Sequence, residues 1–351
     1  MKAWAVVRNG EPLQEIEAPD PEPQGTEVVL AVTHAGICHS DLHFWKGEYN
    51  MGGGKTMRLS ERGVTLPRAP GHEIVGRVLK LGPLASGVAV GDLRIVFPWL
   101  GCGVCARCLH GESNLCDKPA AIGVMHHGGF AEQVRVPHSR YLVDPGSVDP
   151  AFAATLACSG ITVYSAIKKI MPIPADEPVV LIGAGGLGLA AIAMLKALGH
   201  RSIISVDTNA EQRAAALAMG ASQAVDSSTN DVAAQLMQAT GGPVMAVIDF
   251  VNISATAQLG LDSLSKDGKL ILIGITGGEI TISLAGMVFK PRAVQGSATG
   301  NLEDLKAVVG MAQAGQLSPI PLKLLPKSEA NSAMGMLEKG QVRGRVVLTA
   351  A

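Results

Sequence analysis

The sequence predicts an α/β protein of two domains, a β-rich irregular one and a doubly wound parallel sheet. Three observations carry that expectation. The chain has 351 residues, enough for two domains of ordinary size. Up to about residue 155, short β-like runs are broken repeatedly by Gly and Pro. From about Pro178, apolar strands alternate with stretches of helical length, the order that builds a parallel sheet.

In the first domain, strands are expected over Glu27–Thr33, Glu73–Leu81 and Ala131–Val136. Between Trp45 and Pro70 lies a long polar stretch containing Gly52-Gly53-Gly54-Lys55, without the glycine spacing of a phosphate-binding P-loop. It reads as a surface loop or as a loop covering the mouth of a substrate pocket. In the second domain, PVVLIG, SIISVD, AVIDFV and KLILIG are strands. LGLAAIAMLKALG and Ala210–Met219 are helices. The alternation stops near residue 290, and Arg345-Val-Val-Leu is expected to return as a strand to the first domain. The boundaries are therefore 1–155 with 295–351 for the β-rich domain and 156–294 for the parallel sheet.

Composition excludes several functions. Lys and Arg number 29 against 30 Asp and Glu, so no basic field exists for nucleic acid or anionic lipid. The start, MKAWAVVRNG, alternates like a strand and lacks a secretion signal. No apolar run approaches the roughly 20 residues that span a bilayer. A cytoplasmic protein without membrane or nucleic-acid partners is expected. Thiols stay reduced there, so the six cysteines point to metal rather than disulfides.

Gly183-Ala-Gly185-Gly186-Leu187-Gly188 fits the G-x-G-x-x-G fingerprint in its required setting, after a strand and opening a helix. Its glycines allow a tight turn and close approach of a pyrophosphate, whose charge the helix N-terminus favours. Asp207 ends the next strand. A carboxylate there accepts hydrogen bonds from ribose hydroxyls and repels a 2′-phosphate, which favours NAD over NADP.

Cys102-x2-Cys105-x2-Cys108-x7-Cys116 is the most specific local signal. Four thiolates so close can complete a tetrahedral shell around zinc, leaving no position for chemistry. Cys38, in Gly36-Ile37-Cys38-His39-Ser40-Asp41, and Cys158, in Leu156-Ala157-Cys158-Ser159-Gly160, remain, with His72 in Gly71-His72-Glu73. Two thiolates and an imidazole would leave the fourth position of a zinc open, as a Lewis-acid site requires, but spacing alone does not join them.

Six separated motifs, in this order, resemble the zinc-dependent alcohol dehydrogenases of the medium-chain dehydrogenase/reductase superfamily. They are Cys-His-Ser-Asp, Gly-His-Glu, the four-cysteine lobe, a Cys before Gly-x-Thr, the glycine fingerprint with its acid, and the terminal Arg. The resemblance covers essentially the whole chain. It implies a GroES-like catalytic domain beside a Rossmann domain, two zinc ions per chain and NAD(H). The activity implied is NAD-dependent alcohol dehydrogenase, acting on a small-molecule alcohol and its aldehyde or ketone.

The resemblance makes Cys38, His72 and Cys158 the catalytic zinc ligands, with Glu73 behind the metal and Asp41 orienting His72. Cysteine at 158, where polyol-type relatives carry Glu, argues against a polyol dehydrogenase. Ser40 and His43 match a proton relay. His39, Thr162, Val251, Ile275 and Arg345 match cofactor contacts, and Trp45 and Trp99 match walls of an apolar or aromatic substrate pocket. Where the family often has Lys, this chain has Gln212 followed by Arg213, and either would flank the ribose. Relatives pair Rossmann domains edge to edge, which implies a homodimer or homotetramer. The competing readings are a zinc-independent reductase on the same fold and a non-catalytic NAD-binding protein; intact ligands and relay residues argue against both.

Overall fold

Strand pairing gives two large sheets and two small two-stranded ones. The structure is a computed structural model that describes residues 1–350. Among the described residues, the first sheet has seven strands. Its centre is the antiparallel pair Val28–Gly36 and Glu73–Leu81. Glu73–Leu81 agrees with expectation, whereas Val28–Gly36 runs three residues past the expected end. The extension is functional in its effect. Gly36 pairs with Glu73 on one side and with Val347 of the C-terminal strand Arg345–Thr349 on the other. Ile37–Cys38, His72–Glu73 and Arg345 thus emerge along one row of the sheet. Gly36 has no side chain because a Cβ there would run into the Glu73 carboxylate.

The second sheet contains six parallel strands in the spatial order Gln223–Asp226, Ile203–Asp207, Val179–Ile182, Val244–Asp249, Leu264–Leu272 and Arg292–Gly296. The chain order reverses between Val179–Ile182 and Val244–Asp249, and ligands of open parallel sheets bind outside the strand ends at such a point. Their strands are apolar throughout because both faces are covered; Val179, Val180, Leu181 and Ile182 are all buried. The helix Ala210–Met219 begins and ends where expected, with Asn209 as its N-cap and Gly220 in the left-handed conformation at its end. The sheet extends through Gly296, so the alternation ends slightly later than the sequence suggests.

One expectation needs correction. Pro150–Ile170 is a helical stretch of 21 residues that is long and apolar enough to cross a bilayer. The reason is that it is a core element: 89% of its apolar window is buried, with Ile161, Val163 and Ile167 packed against Val179, Leu181 and Leu305.

Lys327 is the least expected buried group. Its side chain enters the first domain and donates to Val32 O at 2.9 Å and Ala131 O at 2.7 Å, with no carboxylate paired to it. Burial pushes its pKa down to about 8 from 10.5. Below about pH 8 the folded state carries the cost of a buried charge. Between about 8 and 10.5 the unfolded chain binds the extra proton, so stability rises with pH in that window. Wild type is therefore expected to gain stability relative to Lys327→Met between pH 8 and 10.5, by at most about 3 kcal/mol at ~1.4 kcal/mol per unit. Denaturant midpoints of both proteins at the two pH values measure it; a constant gap between them refutes the assignment.

Candidate active site

The site starts from a helix N-terminus. Cys38 caps the helix His39–Lys46 in extended conformation, and its backbone N–H donates to Asp41 Oδ2 at 2.9 Å. The other oxygen of Asp41 accepts from Gly71 N at 2.9 Å and stands 3.2 Å from His72 Nδ1. Asp41 is almost wholly buried. Asp41 holds a proton on Nδ1, which leaves Nε2 as the ring atom available to a metal.

Nε2 has no hydrogen-bond partner although it is fully buried. Facing it are the sulfurs of Cys38 and Cys158, and the three donor atoms lie within 4.8 Å of one another. An orphaned imidazole nitrogen between two buried thiols fits a zinc ion and no protein group. The Cys38 thiol is drawn well below the usual range, first by its hydrogen bond with Cys158 and then by His72 and Arg345, against the cost of burial. A thiolate is the form that binds metal.

Cys158 reaches this point through an irregularity that sequence does not disclose. Residues Leu156–Gly160 form a π-turn between the helices Pro150–Thr155 and Ile161–Ile170. Such turns widen a helix by one residue and re-aim its side chains. The freed amide of Ser159 donates to Glu73 Oε1 at 3.1 Å. The other Glu73 oxygen meets Arg345 Nη2 at 2.5 Å, and the same nitrogen donates to Ile37 O at 2.8 Å. This buried pair stands directly behind the metal donors. Thr162 follows on the next helix, buried.

Ser40 Oγ lies 3.9 Å from Cys38 Sγ, beside the donor set. One turn further, His43 is half-buried, and burial first, then His39 and Lys46, lowers its pKa below 6.5. It is neutral at pH 7 and able to take a proton. Trp99 donates from Nε1 to Ala157 O at 3.1 Å, and its ring centroid is 5.2 Å from that of His72. It lies beside the donors.

A cavity of about 400 Å³ opens beyond them, bounded by His39, Gly185, Leu187, Asp207, Gln212 and Arg345. Gly183 takes φ +96°, which favours glycine, and a Cβ at Gly188 would strike the Gly183 carbonyl. A Cβ at Gly185 would meet nothing, so the space beside it stays free for a ligand at the start of the helix Gly186–Ala197. Asp207 accepts from Ala184 N at 2.7 Å and Asn209 N at 2.8 Å, which fixes its carboxylate at the cavity edge. Val251 packs against Gly183, and Ile275 is exposed in the loop after the strand Leu264–Leu272.

Two expected site residues lie elsewhere. Trp45 is not a pocket wall: its Nε1 donates to Glu11 O at 2.6 Å and its ring packs on the core of the first domain, fastening the N-terminal segment. Arg213 does not face the cofactor cavity. It donates to Asp207 O at 3.0 Å and pairs with Asp226 at 2.7 Å, because Asp207 and Asp226 are register partners on adjacent strands. Gln212 lines the cavity instead, held through Nε2 by Val342 O at 3.1 Å.

Sequence reasoning passed over Tyr49. Residues 45–70 are not a plain loop but contain a hairpin, Glu48–Asn50 with Thr56–Arg58. Tyr49 stacks on His43 with centroids 4.9 Å apart and planes at 18°. Its aromatic ring in a polar segment was the available signal.

The four-cysteine lobe forms as its spacing suggests, with all four sulfurs within 4.8 Å of one another. Backbone amides of Val104 and Cys105 pull the Cys102 thiol down to about 6, and Cys116 Sγ accepts from Cys102 N and Lys118 N at 3.3 Å each. The lobe lies at the surface, with Val104 and Leu109 exposed.

Comparison with known proteins supplies the family. A model of the alcohol dehydrogenase GroES-like domain matches residues 24–145, and one of the zinc-binding dehydrogenase matches residues 186–314. NAD-dependent alcohol dehydrogenases of Sulfurisphaera tokodaii and Saccharolobus solfataricus are 36% and 35% identical to the chain, each over 99% of both partners. The crystal structure of the alcohol dehydrogenase from Aeropyrum pernix, 30% identical, matches with a TM-score of 0.90 over 99% of this chain and 100% of that one.

The two metal sets should respond separately. Metal analysis is expected to find two zincs per chain in the wild type and one in Cys38→Ser, whose NADH affinity stays within about threefold because the cofactor cavity is intact. Retention of both ions by Cys38→Ser removes the buried trio as a metal site.

Proposed function

The chain belongs to the zinc-binding alcohol dehydrogenases with a GroES-like domain, and from that premise we propose how its residues divide the reaction. The protein is an NAD-dependent alcohol dehydrogenase that interconverts a small-molecule alcohol and its carbonyl product. The observation that carries the assignment of residues is the orphaned Nε2 of His72 between two buried sulfurs.

Zinc held there supplies Lewis acidity that makes the alcohol proton easier to remove, and NAD supplies the hydride acceptor. Cys38, His72 and Cys158 are the ligands, and Asp41 keeps His72 in the ligating tautomer. Ser40 takes the alcohol proton. His43 passes it on, which its neutral state at pH 7 permits. Glu73 and Arg345 hold the donor set from behind, and Arg345 also borders the pyrophosphate space. His39, Thr162, Val251 and Ile275 contact the cofactor, Gly183, Gly185, Gly186, Leu187 and Gly188 cradle its pyrophosphate, and Asp207 takes the ribose. Cys102, Cys105, Cys108 and Cys116 hold a second zinc whose role is structural.

We assign residues 1–155 and 295–351 to the catalytic domain and 156–294 to the cofactor domain. Trp99 supports a preference for apolar or aromatic primary and secondary alcohols. The edge strand Arg292–Gly296 and the neighbouring exposed Leu284, Val288 and Phe289 support edge-to-edge association into a dimer or tetramer. Six cysteines with no disulfide among them agree with residence in the reducing cytoplasm.

Two measurements test the reading. His43→Ala should slow alcohol oxidation by about tenfold or more near neutral pH, with partial rescue by imidazole. In the wild type the rate should fall as pH drops through the lowered pKa of His43; an identical pH–rate profile in the variant excludes His43 from the relay. Asp207→Ala should raise kcat/KM with NADP relative to NAD, and an unmoved ratio would remove Asp207 from ribose recognition.

A further inference from the structure

The hairpin that carries Tyr49 touches both halves of the active site. On the catalytic side, the Tyr49 ring lies over His43 in an offset stack. On the cofactor side, the hairpin tip rests on the loop Gly277–Glu279. A Cβ at Gly52 would meet Gly278 O at 2.6 Å, one at Gly53 would meet Glu279 Oε2 at 2.8 Å, and one at Gly277 would meet Asn50 O at 2.6 Å. That loop is in turn tied to the cofactor domain, since Glu279 N donates to Ser254 Oγ at 3.0 Å. His43 sits in the last turn of its helix; the charged groups acting on it are His39, Lys46 and Cys38, and the Glu48 backbone, from the same hairpin, hydrogen-bonds it.

We propose that Tyr49 is a positioning residue for proton release: its ring fixes the His43 imidazole, and seating of the hairpin on Gly277–Glu279 makes that alignment depend on closure of the cofactor domain. The inference rests on the reading of His43 as a relay member. The Tyr49 hydroxyl is not required for it; burial pushes that phenol up to about 12, so it stays neutral throughout the working range. A relay histidine free to rotate spends part of its time out of line with the proton it must accept, and the rate falls accordingly.

The test uses the zinc- and NAD-loaded enzyme. Tyr49→Phe keeps the ring and should retain kcat within about twofold. Tyr49→Ala should lower kcat about tenfold at pH 7, reproduce the pH–rate profile of His43→Ala, and respond to added imidazole as that variant does. The double variant Tyr49→Ala/His43→Ala should be no slower than His43→Ala alone, since residues acting as a unit are non-additive. Gly277→Ala places a side chain on a backbone at φ +95° and against Asn50, and should displace the hairpin with the same change of profile. Binding of NADH, read by fluorescence, checks that each variant is folded. An effect of Tyr49→Ala on KM alone makes the ring a substrate wall and overturns the proposal, as does multiplicative loss in the double variant. An unchanged profile in Gly277→Ala overturns the coupling to the cofactor domain. If His43→Ala itself leaves the profile unchanged, the failure lies with the relay reading instead.

Discussion

One buried carboxylate holds the active site together. Asp41 binds the amide of Cys38, the amide of Gly71 and the Nδ1 side of His72, three groups from two separate segments. Each contact uses the charge of the carboxylate, so each is stronger than a neutral hydrogen bond, and each is shielded from water. The carboxylate caps a helix, closes the turn before the strand Glu73–Leu81 and selects the histidine tautomer in the same act. It fixes two of the three metal donors, Cys38 and His72, relative to each other.

Behind that trio the Glu73–Arg345 pair joins elements that are remote in the chain. Glu73 receives the Ser159 amide released by the π-turn, and Arg345 begins the C-terminal strand and packs beneath Gly186 of the phosphate-facing helix. Removing one partner from a pair this buried typically costs about 3–5 kcal/mol, because the other charge is left uncompensated. The pair therefore links three features that would otherwise be independent: the metal donors, the return of the chain to its first domain, and the start of the cofactor helix.

How much of this the sequence disclosed depended on the range of the interaction. The glycine fingerprint, the four-cysteine lobe and the helix Ala210–Met219 are local, and residues within a few positions determine them. The donor trio is not local; its members come together through the shared register of Gly36 with Glu73 and Val347 and through a π-turn that has no sequence signature. Family resemblance supplied what spacing could not. The two misplaced residues fail for the same reason. Trp45 is bulky and apolar in either role, and only its bond to the Glu11 carbonyl fixes it as a clamp. Arg213 is drawn away by Asp226, a partner on the adjacent strand. Tyr49 was passed over because its segment reads as polar loop.

The two cysteine sets differ in how much chain they enclose, and this bears on the order of assembly. The lobe needs only residues 102–116, so the entropy of closing it is small and a metal can organise it while the rest of the chain is still unstructured. The other set draws on residues 38, 72 and 158, and its last member is delivered by a helix packed between the two sheets. The buried trio therefore depends on the packing of both domains, whereas the lobe depends only on its own short segment.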